Sequence, residues 1–540
     1  MRARVAVLAV VLPAVLASPA LAGSATFPRT RVLLPLPEGR DAGRLFGLAG
    51  AAQRGDGAVV VAGARDLLVF GTDGRAAALP PLAYTQSITR LSDGSVAVAG
   101  PPDIDHSRDG AAYDLDVARL AGGTADPGFG DGGRARLAGL SRDWGPTGST
   151  VEHNTHLAPA ADGGVWVASA GAPSAPGQVV RLTPAGVPDP AFNGGAGVPL
   201  TRFAYKVTTE ERGVVDWYAA PAGIVPLPDG GAIVISQFEQ GLGDARGKLF
   251  VERFDAGGQS VAGFGTGGLV VLDGAGPRTA VLQGSRLLLV DAATATGDEA
   301  LTTRVTALAT ATGALDPGFG RTGVTTIPAQ APGPVTVDPR GRLLVDDGRK
   351  LTRLDADGAP DPSWGAGGQT CTPYEPGSHK VSARVPVKVG HGPDRETPAA
   401  LLAPDDSGVI RVQSVRYGDR ALQRIAPNAV VVGGVSGAGR AYCLDLRAVS
   451  VLDNGIDEVI YDRFVTGSFR ARTTVAVERL RATTRRVRGR RITTYKRLSR
   501  STFTSGPGPF VRKVGRIGDG RIVTRITLTS GGKVLLRTLV

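Results

Sequence analysis

The chain repeats one short pattern many times: an apolar run of four to six residues, a Gly- or Asp-containing turn, and a second apolar run. Ile88-Thr89-Arg90-Leu91 turns through Ser92-Asp93-Gly94 into Val96-Ala97-Val98. Ile224-Val225-Pro226-Leu227 turns through Asp229-Gly230-Gly231 into Ile233-Val234-Ile235 in the same way. Short apolar runs bounded by turn residues predict strands, and two of them joined tightly predict an antiparallel hairpin. A second hairpin follows, as where Val179-Val180-Arg181-Leu182 precedes Pro184-Ala185-Gly186 and Leu351-Thr352-Arg353-Leu354 precedes Ala356-Asp357-Gly358. Two hairpins give four strands per unit, the make-up of a β-propeller blade. The pattern therefore predicts an all-β fold.

A sharper signature closes each unit. Asp126-Pro127-Gly128-Phe129-Gly130 returns as Asp189-Pro190-Ala191-Phe192-Asn193, Asp316-Pro317-Gly318-Phe319-Gly320 and Asp361-Pro362-Ser363-Trp364-Gly365. A degenerate copy around Phe264 lacks the Asp-Pro. Asp can accept backbone amides in a turn, Pro presets φ and Gly supplies positive φ, while the single aromatic is an anchor between successive units. Over residues 43–372 these copies resemble the delta-60 repeat family of bacterial exported proteins. That resemblance implies a propeller-like shape and no particular reaction. Six units are counted, at about 43–82, 83–137, 150–200, 214–272, 278–327 and 328–372, with Thr30–Leu36 available as a closing strand and a seventh blade left open.

The repeat stops after Pro373. Segments such as Val381–Val389, Val409–Arg416, Ala429–Val432 and Tyr442–Leu452 predict further strands, and Arg521–Thr529 with Lys533–Leu539 flank the hairpin turn Ser530-Gly531-Gly532. The expected organisation is a signal peptide at 1–22, a propeller at 23–372 and a smaller antiparallel β domain at 373–540. A helix at Thr474–Val487 is the alternative for that stretch. The signal reading rests on Arg2 and Arg4, the apolar run Val5–Leu16 and the cleavage site Ala20-Leu21-Ala22. The apolar run is too short to span a bilayer, so the expected location is secreted, extracellular or envelope-associated.

Charge divides the chain. The 540 residues carry a net charge of +12, yet residues 463–540 alone hold 20 Arg and Lys against Glu478 and Asp519. Attraction to a polyanion therefore belongs to the C-terminal part. The run containing Arg485, Arg486, Arg488, Arg490, Arg491, Lys496 and Arg497 predicts a twisted hairpin with an Arg-rich face. It suits an anionic envelope polymer better than nucleic acid in an exported chain, with a solvated, edge-protecting surface as the structural alternative. The only cysteines, Cys371 and Cys443, suit a disulfide in an oxidising compartment. Such a bridge closes a loop of about 70 residues, worth about 4 kcal/mol in the chain-entropy model, and ties the end of the repeats to the following domain.

Candidate chemistry lies in the long loops. Tyr84, Gln86, Asp105, His106, Glu152, His153, His156, Asp216, Trp217 and Tyr218 map to one face of neighbouring units, where loops on a rigid scaffold form binding sites. Glu152, His153 and His156, with His106, are the candidate ligands for a divalent metal, although Glu-His-Asn-Thr-His is not the metalloprotease His-Glu-x-x-His. No other cofactor is expected. The chain has no Gly-x-Ser-x-Gly elbow and no Walker loop, and Asp229 and Asp357 fall in repeated Asp-Gly turns. A binding scaffold is the leading expectation; an exported hydrolase or lyase working on the loop face is the alternative.

Overall fold

The computed structural model describes residues 32–35, 48–63, 67–72, 76–79, 85–102, 112–142, 155–170, 176–200, 204–209, 213–237, 248–273, 277–292, 302–327, 333–347, 350–371, 396–402, 409–416, 428–435, 442–451, 460–487, 490–516 and 522–539. Among these, regular structure is antiparallel strand apart from one 3-10 turn at Asn193–Gly195. The stretch Thr473–Val487 is a strand, so the helical alternative does not hold. Its Thr, Val and Arg residues alternate between two faces, and cross-strand pairing on both sides for half its length overrides local helix preference.

Each repeat unit folds as a sheet of four strands side by side in chain order, to which the second adds the short strand Thr124–Ala125, paired with Ala112–Ala121. The third sheet is Thr155–Pro159, Val165–Ser169, Gln178–Leu182 and Val198–Pro199. The fourth is Ala220–Pro226, Ala232–Gln237, Lys248–Phe254 and Leu269–Asp273. The first, second, fifth and sixth span 48–79, 87–142, 277–327 and 335–371. A seventh sheet is built differently. Glu396–Leu402, Val409–Arg416 and Asn428–Val435 supply three strands, and Val32–Pro35 pairs with Asn428–Val435 as the fourth. The expected closing strand near the N-terminus is thus paired some 400 residues downstream, in a stretch the sequence reading gives to the C-terminal domain. The first strand of each sheet packs on that of the next, and Glu396–Leu402 of the seventh packs on Leu48–Gln53 of the first.

Why the strands read as nearly continuous apolar runs is now clear: both faces are covered. In the third sheet, Val165, Val167, Val180 and Leu182 face the second sheet, while Trp166, Ala168 and Val179 face the fourth. The motif aromatics fill these seams. Phe129 lies between sheets two and three, Phe192 between three and four, Phe264 between four and five, and Phe319 between five and six. All four are fully buried, and Trp364 joins sheet six to Val409 of sheet seven. Burial of one such ring contributes about 1.5–3 kcal/mol.

A backbone latch accompanies each of the four phenylalanines. The amide after the aromatic donates to a carbonyl in the turn between the third and fourth strands of the next sheet: Gly130 to Ala185 at 2.7 Å, Asn193 to Gly257 at 3.0 Å, Gly265 to Thr312 at 2.7 Å and Gly320 to Asp357 at 2.6 Å. A glycine in that turn lies on the preceding ring. Gly186 has φ +75°, and a Cβ there would stand 2.6 Å from the Gly130 nitrogen and 2.8 Å from the Phe129 ring. Gly186→Ala is expected to cost more than Gly230→Ala, whose φ of +84° is similar but whose Cβ meets nothing nearer than 3.4 Å. The left-handed conformation costs each variant about 1–2 kcal/mol. The excess in Gly186→Ala, read as a larger shift in denaturant midpoint, measures the latch.

Apart from the two-stranded hairpin of Ala204–Thr209 and Gly213–Tyr218, the remaining strands form a three-stranded sheet of Tyr442–Val451, Ile460–Phe469 and Gly508–Arg516, and a four-stranded sheet of Thr473–Val487, Arg490–Ser505, Ile522–Ser530 and Lys533–Leu539. Phe469 and Phe510, stacked at 4.7 Å, join the first to Val475, Val477, Ile526 and Leu528 of the second.

Candidate functional site

The long hairpin of the C-terminal domain extends beyond the described part of the strand that flanks it. Thr473–Val487 pairs with Arg490–Ser505 along its whole length, but with Ile522–Ser530 only from Thr474 to Arg481. Among the described residues 482–487, about 20 Å of strand at 3.3 Å per residue, pairs only with Arg490–Ser505. The burial pattern follows. Val475, Val477 and Leu480 are buried, whereas Arg481 and Thr483–Arg486 are exposed, as is the returning strand from Ile492 to Thr502.

Cations occupy both sides of this arm. Arg481 stands directly opposite Lys496, and Arg485 opposite Ile492, on one face; Arg486 falls on the other. The expected hairpin is therefore present, but its charge is not confined to one face. Arg490 and Arg491 lie on the returning strand, with Arg491 in register with Arg486, while Arg488 lies outside the described residues. Ile492, Tyr495 and Leu498 are exposed among the charges. Glu478, at the root, accepts from Arg497 at 3.4 Å and Arg525 at 3.3 Å. Burial pushes Glu478 up, but the hydrogen bonds from those two arginines leave its carboxyl below the usual range. Among the described residues no carboxylate pairs with Arg479, Arg481, Arg485, Arg486, Lys496 or Arg500.

The loop-face candidates are placed less uniformly. Gln86 is buried at the seam of sheets two and three, where the Thr155 hydroxyl donates to its Oε1 at 2.6 Å. His156 lies with Nε2 3.2 Å from the Pro221 carbonyl, bridging sheets three and four. Asp216, Trp217 and Tyr218 lie on Gly213–Tyr218, which pairs with Ala204–Thr209 in a separate two-stranded hairpin between sheets three and four. Tyr84, Asp105, His106, Glu152 and His153 lie outside the described residues. Among the described residues no three His, Cys, Asp or Glu side chains gather as a metal site.

The repeated acids have partners that sequence reading missed. Arg181 reaches Asp162 at 2.6 Å in its own sheet's first turn and the motif residue Asp189 at 3.2 Å. Arg119 pairs with Asp93 and donates to the Pro184 carbonyl of the next sheet at 3.1 Å. Arg253 pairs with Asp229 and donates to Thr310 at 3.1 Å, and Arg353 holds Asp361. The signal was available: an Arg precedes the motif Asp by seven or eight residues at Arg119, Arg181 and Arg353. In sheet five that position is apolar, and Arg286 of the second strand takes over, pairing with Asp316 and donating to Ala356 at 2.8 Å.

No family model matches this chain, and no protein with a curated description matches it. Solved structures do resemble it. The extracellular domain of a one-component system from B. thetaiotaomicron is 9% identical with a TM-score of 0.37, covering 94% of this chain and 58% of its own. PorZ, a surface component of the type-IX secretion system of Porphyromonas gingivalis, is 9% identical with a TM-score of 0.35, covering 94% and 53%. A sialidase from Trypanosoma rangeli is 7% identical with a TM-score of 0.31, covering 92% and 88%. The chain thus spans little more than half the length of the first two. Among the described residues no helix is long and apolar enough to cross a membrane.

Proposed function

We propose that the seven sheets are blades of one β-propeller extending through residue 435, and that the protein is an exported, envelope-associated binding scaffold held on anionic surface polymer by its C-terminal arm. One observation carries the reading: the arm is exposed with cations on both faces, and only Arg497 at its root finds a carboxylate among the described residues. Like charges set directly opposite each other, as at Arg481 and Lys496, destabilise a hairpin. Their cost is offset when a polyanion lies along the ribbon, since guanidinium groups make paired contacts with phosphate or carboxylate. In the ring, by contrast, the repeated Asp and Arg residues are engaged in holding turns and neighbouring sheets.

Retention of the full chain on isolated envelope at graded salt tests this. Retention is expected to fall as ionic strength passes about 0.1 M, where the screening length shrinks to about 10 Å. Replacing Arg481, Arg485, Arg486 and Lys496 together by Gln is expected to lower the releasing salt concentration by about half without lowering the thermal unfolding midpoint, because these side chains are exposed and their mutual repulsion is relieved. Retention indifferent to both salt and the fourfold substitution would reject the reading.

A further inference from the structure

Sheet six carries the closing motif, Asp361-Pro362-Ser363-Trp364-Gly365, yet among the described residues its neighbour offers no matching turn. In sheet seven the fourth strand, Val32–Pro35, arrives from the other end of the chain, so no tight turn joins it to the third. The C-terminal domain stands in that place. The Ser468 hydroxyl donates to the Ala366 carbonyl, and the Arg470 guanidinium donates to the Gly365 carbonyl at 3.0 Å. Ser468 and Phe469 are fully buried there. Gly367, at φ +78°, allows the close approach: a Cβ on it would lie 2.6 Å from the Phe469 carbonyl oxygen and 2.9 Å from the Gly508 nitrogen.

We infer that the C-terminal domain is the clasp of the ring, substituting for the missing turn at the seam of sheets six and seven, and that a Cys371–Cys443 disulfide locks it. Among the described residues the seam's buried apolar cluster is Leu344, Leu351, Trp364 and Val409. The cysteines fall at the junction. Cys371 ends the strand Gln369–Cys371, which packs on Tyr442–Val451, and Cys443 is the cross-strand partner of Ser468. Both thiols lose their protons and one electron each to an incoming protein or small-molecule disulfide, which leaves as two thiols while the new S–S bond forms. Export supplies the oxidising setting in which such bonds persist.

The test uses the full chain recovered from the medium, with no envelope present, so its outcome is independent of polymer binding. Peptide mapping without reductant is expected to show Cys371 and Cys443 in one linked species that separates on reduction. Amide exchange in 335–371 and 396–435 is expected to quicken at least tenfold in reduced Gly367→Val protein, while sheets two to four keep their protection. Reduced Ser468→Ala protein is expected to show the same pattern with a smaller increase, and decides the matter if Gly367→Val fails to fold. Freely alkylated thiols in the exported protein would overturn the covalent lock. Unchanged exchange at that seam in the reduced variants would overturn the clasp itself.

Discussion

Phe192→Ala is expected to destabilise the protein by about 3–5 kcal/mol, the range for deleting a large ring from a packed core that collapses only in part. Phe192 is buried against both sheet three and sheet four, and its ring meets Trp166 edge-on at 4.9 Å between centroids. The substitution therefore removes transferred surface, an aromatic pair worth about 0.5–1.5 kcal/mol and the surface on which Gly258 rests. Denaturant unfolding followed by tryptophan fluorescence checks it, since Trp166 reports on the damaged seam. Val187→Ala, at a half-exposed position two residues before the motif Asp189, is expected to stay within about 0.5 kcal/mol. Comparable losses in both variants would mean that the motif aromatic is not a seam anchor.

Much of this was legible because the seam is a local demand. A four-stranded unit with two apolar faces must meet its neighbours with a large side chain at a fixed place, so Phe129, Phe192, Phe319 and Trp364 stand out as a repeated signal and occupy equivalent seams. Phe264 does so even though its copy has lost the Asp-Pro, because the ring carries the burial and the Asp only shapes the turn. Sheet seven was hidden for the opposite reason. Its fourth strand pairs across most of the chain and no closing motif marks its end, so nothing local distinguishes Asn428–Val435 from the strands that follow.

Site residues show a different limit. Buried polar groups are almost always hydrogen-bonded, but a sequence does not reveal whether the partner is a ligand or a neighbouring strand. Gln86 and His156 were singled out as ligand contacts, and the structure gives them Thr155 and the Pro221 carbonyl as partners across seams. The basic arm was easier to find, since charge density survives without knowledge of contacts. That cations fall on both of its faces depends on how Thr473–Val487 and Arg490–Ser505 are paired, which is a property of register.

The second large effect is expected from Arg353→Met, at about 3–5 kcal/mol, because it takes the nearest guanidinium from a buried carboxylate and leaves it Ser363 and the more distant Arg342, 3.8 Å away. Arg353 donates to Asp361 at 2.6 Å and lies 4.2 Å over the Trp364 ring, so it joins the turn acid to the seam aromatic of sheet six. Burial alone would raise the Asp361 carboxyl; hydrogen bonds from Ser363 and the charge of Arg353 bring it below the usual range instead. A depressed carboxyl contributes stability above its unfolded pKa of about 3.9, and that contribution is lost as pH falls through the lower folded value. Without Arg353 the desolvated carboxyl rises, so the variant regains stability relative to wild type as acid protonates Asp361. The gap between wild type and Arg353→Met is thus expected to be widest near pH 7 and to narrow steadily towards pH 4. Adding Asp361→Asn, which keeps an acceptor for the Ser363 amide now bonded at 2.8 Å, should recover part of the loss at pH 7 and flatten the pH dependence. A gap that does not change with pH would assign the whole effect to lost packing on Trp364 rather than to the stranded charge.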